Sequence, residues 1–180
     1  MTNYKRFFLS GGTYFFTVNL AQRDKTLLID YVDDLRKVFA QVKQEQPFNI
    51  DAIVILPEHL HAIWTLPEGD SDFSNRWRKI KGGFSKLMPE GERLSESRRS
   101  KGERGIWQRR YWEHVIRGEL DYARHVDYIH YNPVKHGYCK SVKDWPNSLF
   151  HRYVDQGIYT KNWGEDLDFV DIACGEGIER

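Results

Sequence analysis

The stretch PEHLHAIWTLP, residues 57–67, decides how the rest of the chain is read. It sets His59 and His61 around one leucine inside an otherwise apolar run. In a strand, residues two apart point to the same face. The alternation therefore places His59 and His61 side by side and turns Leu60, Ala62 and Trp64 to the other face. The preceding stretch 48–56 (FNIDAIVIL) is equally apolar and β-branched, with Pro57 and Glu58 between the two as a turn. The spacing predicts a hairpin with both histidines at the start of its second arm.

Working outward, residues 13–20 (TYFFTVNL) follow two glycines and predict a first strand. Residues 28–44 carry apolar side chains at Leu28, Val32, Leu35, Val38, Phe39 and Val42, a helical spacing that ends before Pro47. Residues 71–87 repeat that spacing with Phe73, Trp77, Ile80, Phe84 and Leu87. Gly82 and Gly83 weaken this helix, and Asp70 and Asp72 suit a cap or turn before it. Residues 89–105 have almost no apolar side chains and predict a mobile loop. Residues 111–116 predict a fourth strand and 119–131 a third helix, ended by Pro133. The order β-α-β-β-α-β-α predicts an α+β fold, a ferredoxin-like antiparallel sheet with helices on one face. Residues 1–145 form the predicted domain, and the aromatics of 146–180 predict a tail that packs on it before an acidic end.

The chain of 180 residues is 40% apolar and 14% aromatic, enough for a real core. Its net charge of +1 names no partner, but the charge is unevenly spread. Residues 75–110 hold twelve Lys/Arg against four Glu, and residues 155–180 hold seven Asp/Glu against two Lys/Arg. Such asymmetry suits a polyanion partner and a tail that competes with it, or simply solvated loops. Cys139 and Cys174 lie in no metal-like spacing and suit free thiols in a reducing compartment. No apolar run reaches about 18 residues, so no membrane partner is expected. The N-terminal apolar stretch is too short for a secretory signal. A cytoplasmic protein is expected.

Neutral imidazole is a common metal ligand, and two on one strand face can share an ion. A His-x-His pair also occurs as plain packing. A second motif is DYIHYNPVKHG, residues 127–137. Tyr128 and Asn132 are four apart and share a helix face, with His130 pointing elsewhere. A tyrosine near pKa 10 is a poor nucleophile unless a cation and an aligned phosphate activate it. Asn132 offers an amide oxygen beside two imidazoles. By spacing alone, the favoured reading is Tyr128 as a packing residue and Asn132 as a C-cap before Pro133.

His59-Leu60-His61 resembles the HUH motif, and Tyr128-x-x-x-Asn132 followed by Pro133-Val134-Lys135 resembles the tyrosine helix of the single-tyrosine HUH transposases. With IWQRRYWEHVIR at 106–117, the joint pattern is similar to the REP-associated tyrosine transposases, and the likeness runs over about residues 4–159. The resemblance implies a structure-specific single-stranded DNA endonuclease and transposase acting at REP hairpins. It implies that His59, His61 and Asn132 hold Mg²⁺ or Mn²⁺ and that Tyr128 forms a 5′-phosphotyrosine link before strands are rejoined. Some relatives in the wider group carry Gln where this chain has Asn132, a difference in reach to the metal. Tyr122 and Tyr131 compete for the nucleophile but lack a polar partner four residues on.

DNA contacts are expected from Arg76, Arg78, Lys79, Lys81, Lys86, Arg109 and Arg110, with Trp107 and Tyr111 stacking on unpaired bases. His114 suits either a buried position or a DNA contact. The acidic tail is expected to restrain DNA binding, and the chain to act as a monomer or homodimer. Three rival readings stay open: a REP-hairpin regulator without strand transfer, a metal-stabilised interaction module, and an RNA-processing nuclease on the same scaffold.

Overall fold

Four β-branched and aromatic segments pair into one antiparallel sheet. In this computed structural model, which describes residues 7–92 and 94–167, β1 is Thr13–Asn19, β2 Asn49–Ile55, β3 His59–Thr65 and β4 Trp112–Val115. Their order across the sheet is β2-β3-β1-β4, every neighbour antiparallel. The register pairs Asn19 with His59, Thr17 with His61 and Phe15 with Ile63. On the far side of β1, Phe15 pairs with His114. Phe15, Thr17, His59, His61 and His114 therefore share one sheet face.

The helices are α1 (Leu27–Asp30), α2 (Val32–Glu45), α3 (Phe73–Leu87), α4 (Glu96–Arg99), α5 (Glu119–Lys135) and α6 (Phe150–Asp155), with a 3₁₀ turn at Val142–Asp144. The expected helix over 28–44 is divided at Tyr31, whose ψ of 34° interrupts the helical path. Helices α2 and α3 cover one face of the sheet together, as expected. Leu35, Val38, Phe39 and Val42 of α2 and Phe73, Trp77, Ile80 and Phe84 of α3 enclose Tyr14, Phe16, Leu60 and Trp64. Helix α5 instead packs on the opposite face, where Val126, Tyr128 and Ile129 meet Phe15, Ala52, Val54 and Ile63. Strand β3 is apolar or histidine on both sides, so both faces need a cover, and His59 and His61 are buried under α5.

Three local details position the site. The carboxylate of Asp72 caps α3 by accepting from Asn75 N at 3.0 Å, and that of Asp70 accepts from Asp72 N at 2.7 Å, so both act as expected. Gly83 does not interrupt α3: a Cβ there would meet Val38 Cγ1 at 2.9 Å, so the glycine lets α2 and α3 approach. Pro133 does not end α5, which runs on to Lys135. Its ring angle suits a helix, it forfeits only the bond one turn back to Ile129, and it is itself buried.

The segment 89–105 is tied down rather than free. The Arg104 guanidinium donates to Ser85 O at 2.8 Å, Met88 O at 3.1 Å and Pro89 O at 2.9 Å, and it pairs with Glu92. One planar five-donor side chain thus replaces the apolar anchors the loop lacks. After α5 the chain packs back on the domain. Trp145 Nε1 donates to Ile55 O at 3.0 Å, Tyr153 Oη to Asp51 O at 2.7 Å, and Phe150 is fully buried. The acidic stretch beyond residue 167, with Cys174, lies outside the described residues. Among the described residues no helix is long and apolar enough to cross a membrane.

Candidate active site

The two histidines open β3 on the face that α5 covers. His59 Nδ1 lies 2.9 Å from Glu58 Oε1, and His61 Nδ1 lies 2.8 Å from Thr17 Oγ1. With each Nδ1–H donating to its oxygen, each Nε2 carries the free lone pair. Glu58 is itself held by Tyr138 Oη at 3.0 Å, with Arg23 3.6 Å away. Burial alone would raise the Glu58 carboxyl, but His59 and Tyr138 outweigh it and bring it down to about 2. Complete burial is the main cause that holds the His61 imidazole well below the usual histidine range. His61 is therefore neutral at pH 7.

The rings of His59 and His61 stand 4.9 Å apart, and that of Tyr128 lies 5.2 Å from His61. Phe15 supports both, 5.5 Å from the His61 ring and 5.9 Å from the Tyr128 ring. Tyr128 and Asn132 lie one turn apart on α5, and both are buried. Asn132 is not the C-cap that the spacing allowed; that position is His136. Its Oδ1 and Nδ2, and His61 Nε2, are buried without a hydrogen-bond partner among the described residues. Buried polar atoms without partners cost free energy unless a ligand satisfies them. Two imidazole nitrogens and an amide oxygen form a donor set that fits a divalent cation.

Lys135 is the feature of this site that sequence reading missed. Its Nζ donates to Tyr128 Oη at 3.2 Å and lies 4.9 Å from the ring centroid. The contact exists because α5 continues through Pro133, which puts residue 135 two turns beyond 128 on the same face. His136, whose ring is 5.0 Å from that of His59, was missed for the same reason. The competing tyrosines point elsewhere: Tyr131 Oη donates to Leu167 O at 3.0 Å, and Tyr122 Oη lies 3.4 Å from Tyr153 Oη.

The basic residues divide into three groups. Arg78, Lys81, Lys86 and Arg109 line a groove of about 590 Å³ with Arg98, Arg104 and Tyr111. Arg110 is exposed beside it, whereas Lys79 pairs with Glu45 at 2.9 Å outside the groove. Arg76 and Trp107 do not serve as expected. Arg76 is 2% exposed and donates to Gln46 O, Asp72 O, Pro47 O and Asp70, so its guanidinium has no capacity for phosphate. Trp107 is 4% exposed, packs on Phe84 and donates to Lys81 O, so no base can stack on it. Tyr111 is half-buried on the groove wall under Lys81, 5.7 Å from its Nζ.

A second cluster lies on the same sheet face. The donor atoms of His114, Asp121 and His125 lie within 4.8 Å of one another, a group able to hold a metal ion. His114 Nε2 is 2.9 Å from Asp121 Oδ2, so this histidine is engaged within the protein.

No family model matches the chain. It is 49% identical over 178 residues to the REP-associated tyrosine transposase of Escherichia coli (strain K12), covering 99% of each. A Haemophilus influenzae relative of the same family name is 47% identical over 93% of this chain and 96% of its own. A solved structure of a REP-associated tyrosine transposase bound to a REP hairpin superposes with a TM-score of 0.83 at 47% identity, over 100% of this chain and 98% of the other. Identity of this order along the whole length places the chain in the family of REP-associated tyrosine transposases.

Proposed function

We propose that this protein is a metal-dependent enzyme that cuts and rejoins single-stranded DNA beside REP hairpins, in the cytoplasm where genomic DNA lies. Its family membership supports an enzyme acting on DNA, and the solved relative bound to a REP hairpin supports that partner. One observation carries the chemistry. The partnerless His61 Nε2 and Asn132 amide share a buried face with a tyrosine whose hydroxyl meets an ammonium.

In this reading His59 and His61 hold Mg²⁺ or Mn²⁺ through Nε2, and Asn132 through its amide oxygen. The bound ion supplies Lewis-acid polarisation of a non-bridging oxygen of the scissile phosphate. Glu58 and Thr17 fix the tautomer and orientation of the two imidazoles. Tyr128 attacks phosphorus in line. The Oη–P bond forms, the P–O3′ bond breaks, the phenol proton leaves to solvent, and the departing oxygen takes up a proton to become the 3′-OH. The 5′-phosphotyrosine conserves the bond energy, so attack by a 3′-OH rejoins strands without ATP. Lys135 holds the Tyr128 hydroxyl and carries positive charge beside the reacting phosphate. It is only half-buried, so the nucleophile lies one side chain below the surface.

Arg78, Lys81, Lys86 and Arg109 meet DNA phosphates in the groove, with Arg110 beside them. The groove lies along α3, whereas the histidines lie under α5 on the opposite sheet face. DNA engaging both passes around the sheet edge formed by β4.

The test is cleavage of a labelled single-stranded oligonucleotide carrying a REP hairpin and flanks, with Mn²⁺ or Mg²⁺. Wild type should cut and leave a covalent protein–DNA band, and Tyr128→Phe should do neither. Tight hairpin binding without cutting would favour a regulator, and cutting that survives Tyr128→Phe would remove the tyrosine from the mechanism.

A further inference from the structure

We propose that His114, Asp121 and His125 form a second cation site, for a divalent transition ion of the zinc class, separate from the His59–His61–Asn132 set. The three residues come from two elements. His114 is the last but one residue of β4, Asp121 lies in the first turn of α5, and His125 is one turn on. The Asp121 carboxylate bridges the two rings, with Oδ2 2.9 Å from His114 Nε2 and Oδ1 3.0 Å from His125 Nδ1. Each imidazole nitrogen lies about 3 Å from an Asp121 oxygen and all the donors lie within 4.8 Å of one another, so small side-chain shifts bring them to one ion at bond lengths of about 2.0–2.2 Å. The rings are nearly parallel, 15° between planes and 4.8 Å between centroids. Trp112 stacks on His114 and Phe15 packs on His125, so both rings are held in place without the ion.

Two imidazoles and one carboxylate are a ligand set that zinc-class ions accept. His114 and Asp121 have side chains 34% and 24% exposed, which leaves an entry path and open coordination positions for water. Binding displaces the protons now shared with Asp121 and frees His125 Nδ1 from its 2.8 Å contact with the Asp121 carbonyl. The Asp121 carboxylate also accepts from Arg117 N at 2.7 Å, a contact that stays and aims the carboxylate at the rings. The ion would clamp β4 to the first two turns of the helix that carries Tyr128. Phe15 touches both the His125 and the Tyr128 rings, so the clamp bears directly on the nucleophile's support.

The test uses the full chain after chelator treatment and does not depend on cleavage. Zn²⁺ is titrated by calorimetry, and Co²⁺ is followed by its visible absorption, in a His59→Ala/His61→Ala background. That background should keep one equivalent of bound ion and rise in melting temperature with it. Adding His114→Gln should lower the affinity at least about tenfold, a loss of the size that perturbed metal shells show. Adding Asp121→Asn, which keeps size and a hydrogen-bonding oxygen, should do the same if the far-ultraviolet circular dichroism is unchanged. The proposal is overturned if the background binds no ion, or if either added substitution leaves affinity untouched. In those cases the cluster is a hydrogen-bonded brace only.

Discussion

Replacing Lys135 by methionine removes the ammonium 3.2 Å from Tyr128 Oη and keeps most of the side chain's apolar length. A full negative charge on that oxygen would interact with the ammonium by about 5 kcal/mol at an effective dielectric of about 20. Lys135 is half-exposed, and only part of that charge develops during attack. The usual worth of a charge-assisted hydrogen bond, about 1.5–3 kcal/mol, is the better guide. That corresponds to a loss of roughly 10- to 150-fold in rate. The assay is single-turnover formation of the covalent protein–DNA complex at saturating hairpin oligonucleotide, with DNA affinity measured separately on Tyr128→Phe and Tyr128→Phe/Lys135→Met. The rate should fall by that factor, affinity should change little, and Lys135→Arg should recover part of the rate. A wild-type rate in Lys135→Met, or a loss confined to affinity, would refute the reasoning.

Two further outcomes follow from the basic residues. Hydrogen bonding from Arg76 holds the Asp70 carboxyl below its ordinary value, so the pair's stability should be present above the usual aspartate range and lost as pH falls through the depressed value. Urea midpoints of wild type and Asp70→Asn should differ at pH 7 and converge in strong acid, whereas Arg76→Ala should cost about 1–3 kcal/mol at neutral pH because it leaves the Gln46, Pro47 and Asp72 carbonyls without their donor. In the groove, Arg78→Ala and Lys86→Ala should each lower the slope of log affinity against log salt by about 1. An unchanged slope in fluorescence-anisotropy titrations would take those residues off the DNA path.

Much of the fold was legible because its signals are local. Strand β3 alternates His59 and His61 against Leu60, Ala62 and Trp64, and period two has one reading on a pleated strand. Helix α3 repeats its apolar positions at helical spacing, and Asp72 supplies its cap. Arg76 shows where local signals end. In the chain it looks like one more member of a basic run, yet it is buried against the carbonyls of Gln46 and Pro47, which are far from it in sequence. Trp107 runs straight into Gln108, Arg109 and Arg110 and reads as an exposed ring, but it packs on Phe84 of α3.

The sequence by itself determined the order of the four strands and the three long helices, the shared face of His59 and His61, and the one-turn spacing of Tyr128 and Asn132, because each depends only on backbone periodicity. Tertiary structure alone decided that α5 crosses the histidine face while α2 and α3 take the other, since covering a sheet is settled by long-range packing. It also carried α5 through Pro133 and so brought Lys135 to Tyr128, because burial outweighed one lost hydrogen bond. And it gathered His114, Asp121 and His125, since no periodicity along the chain links the end of a strand to the start of a helix.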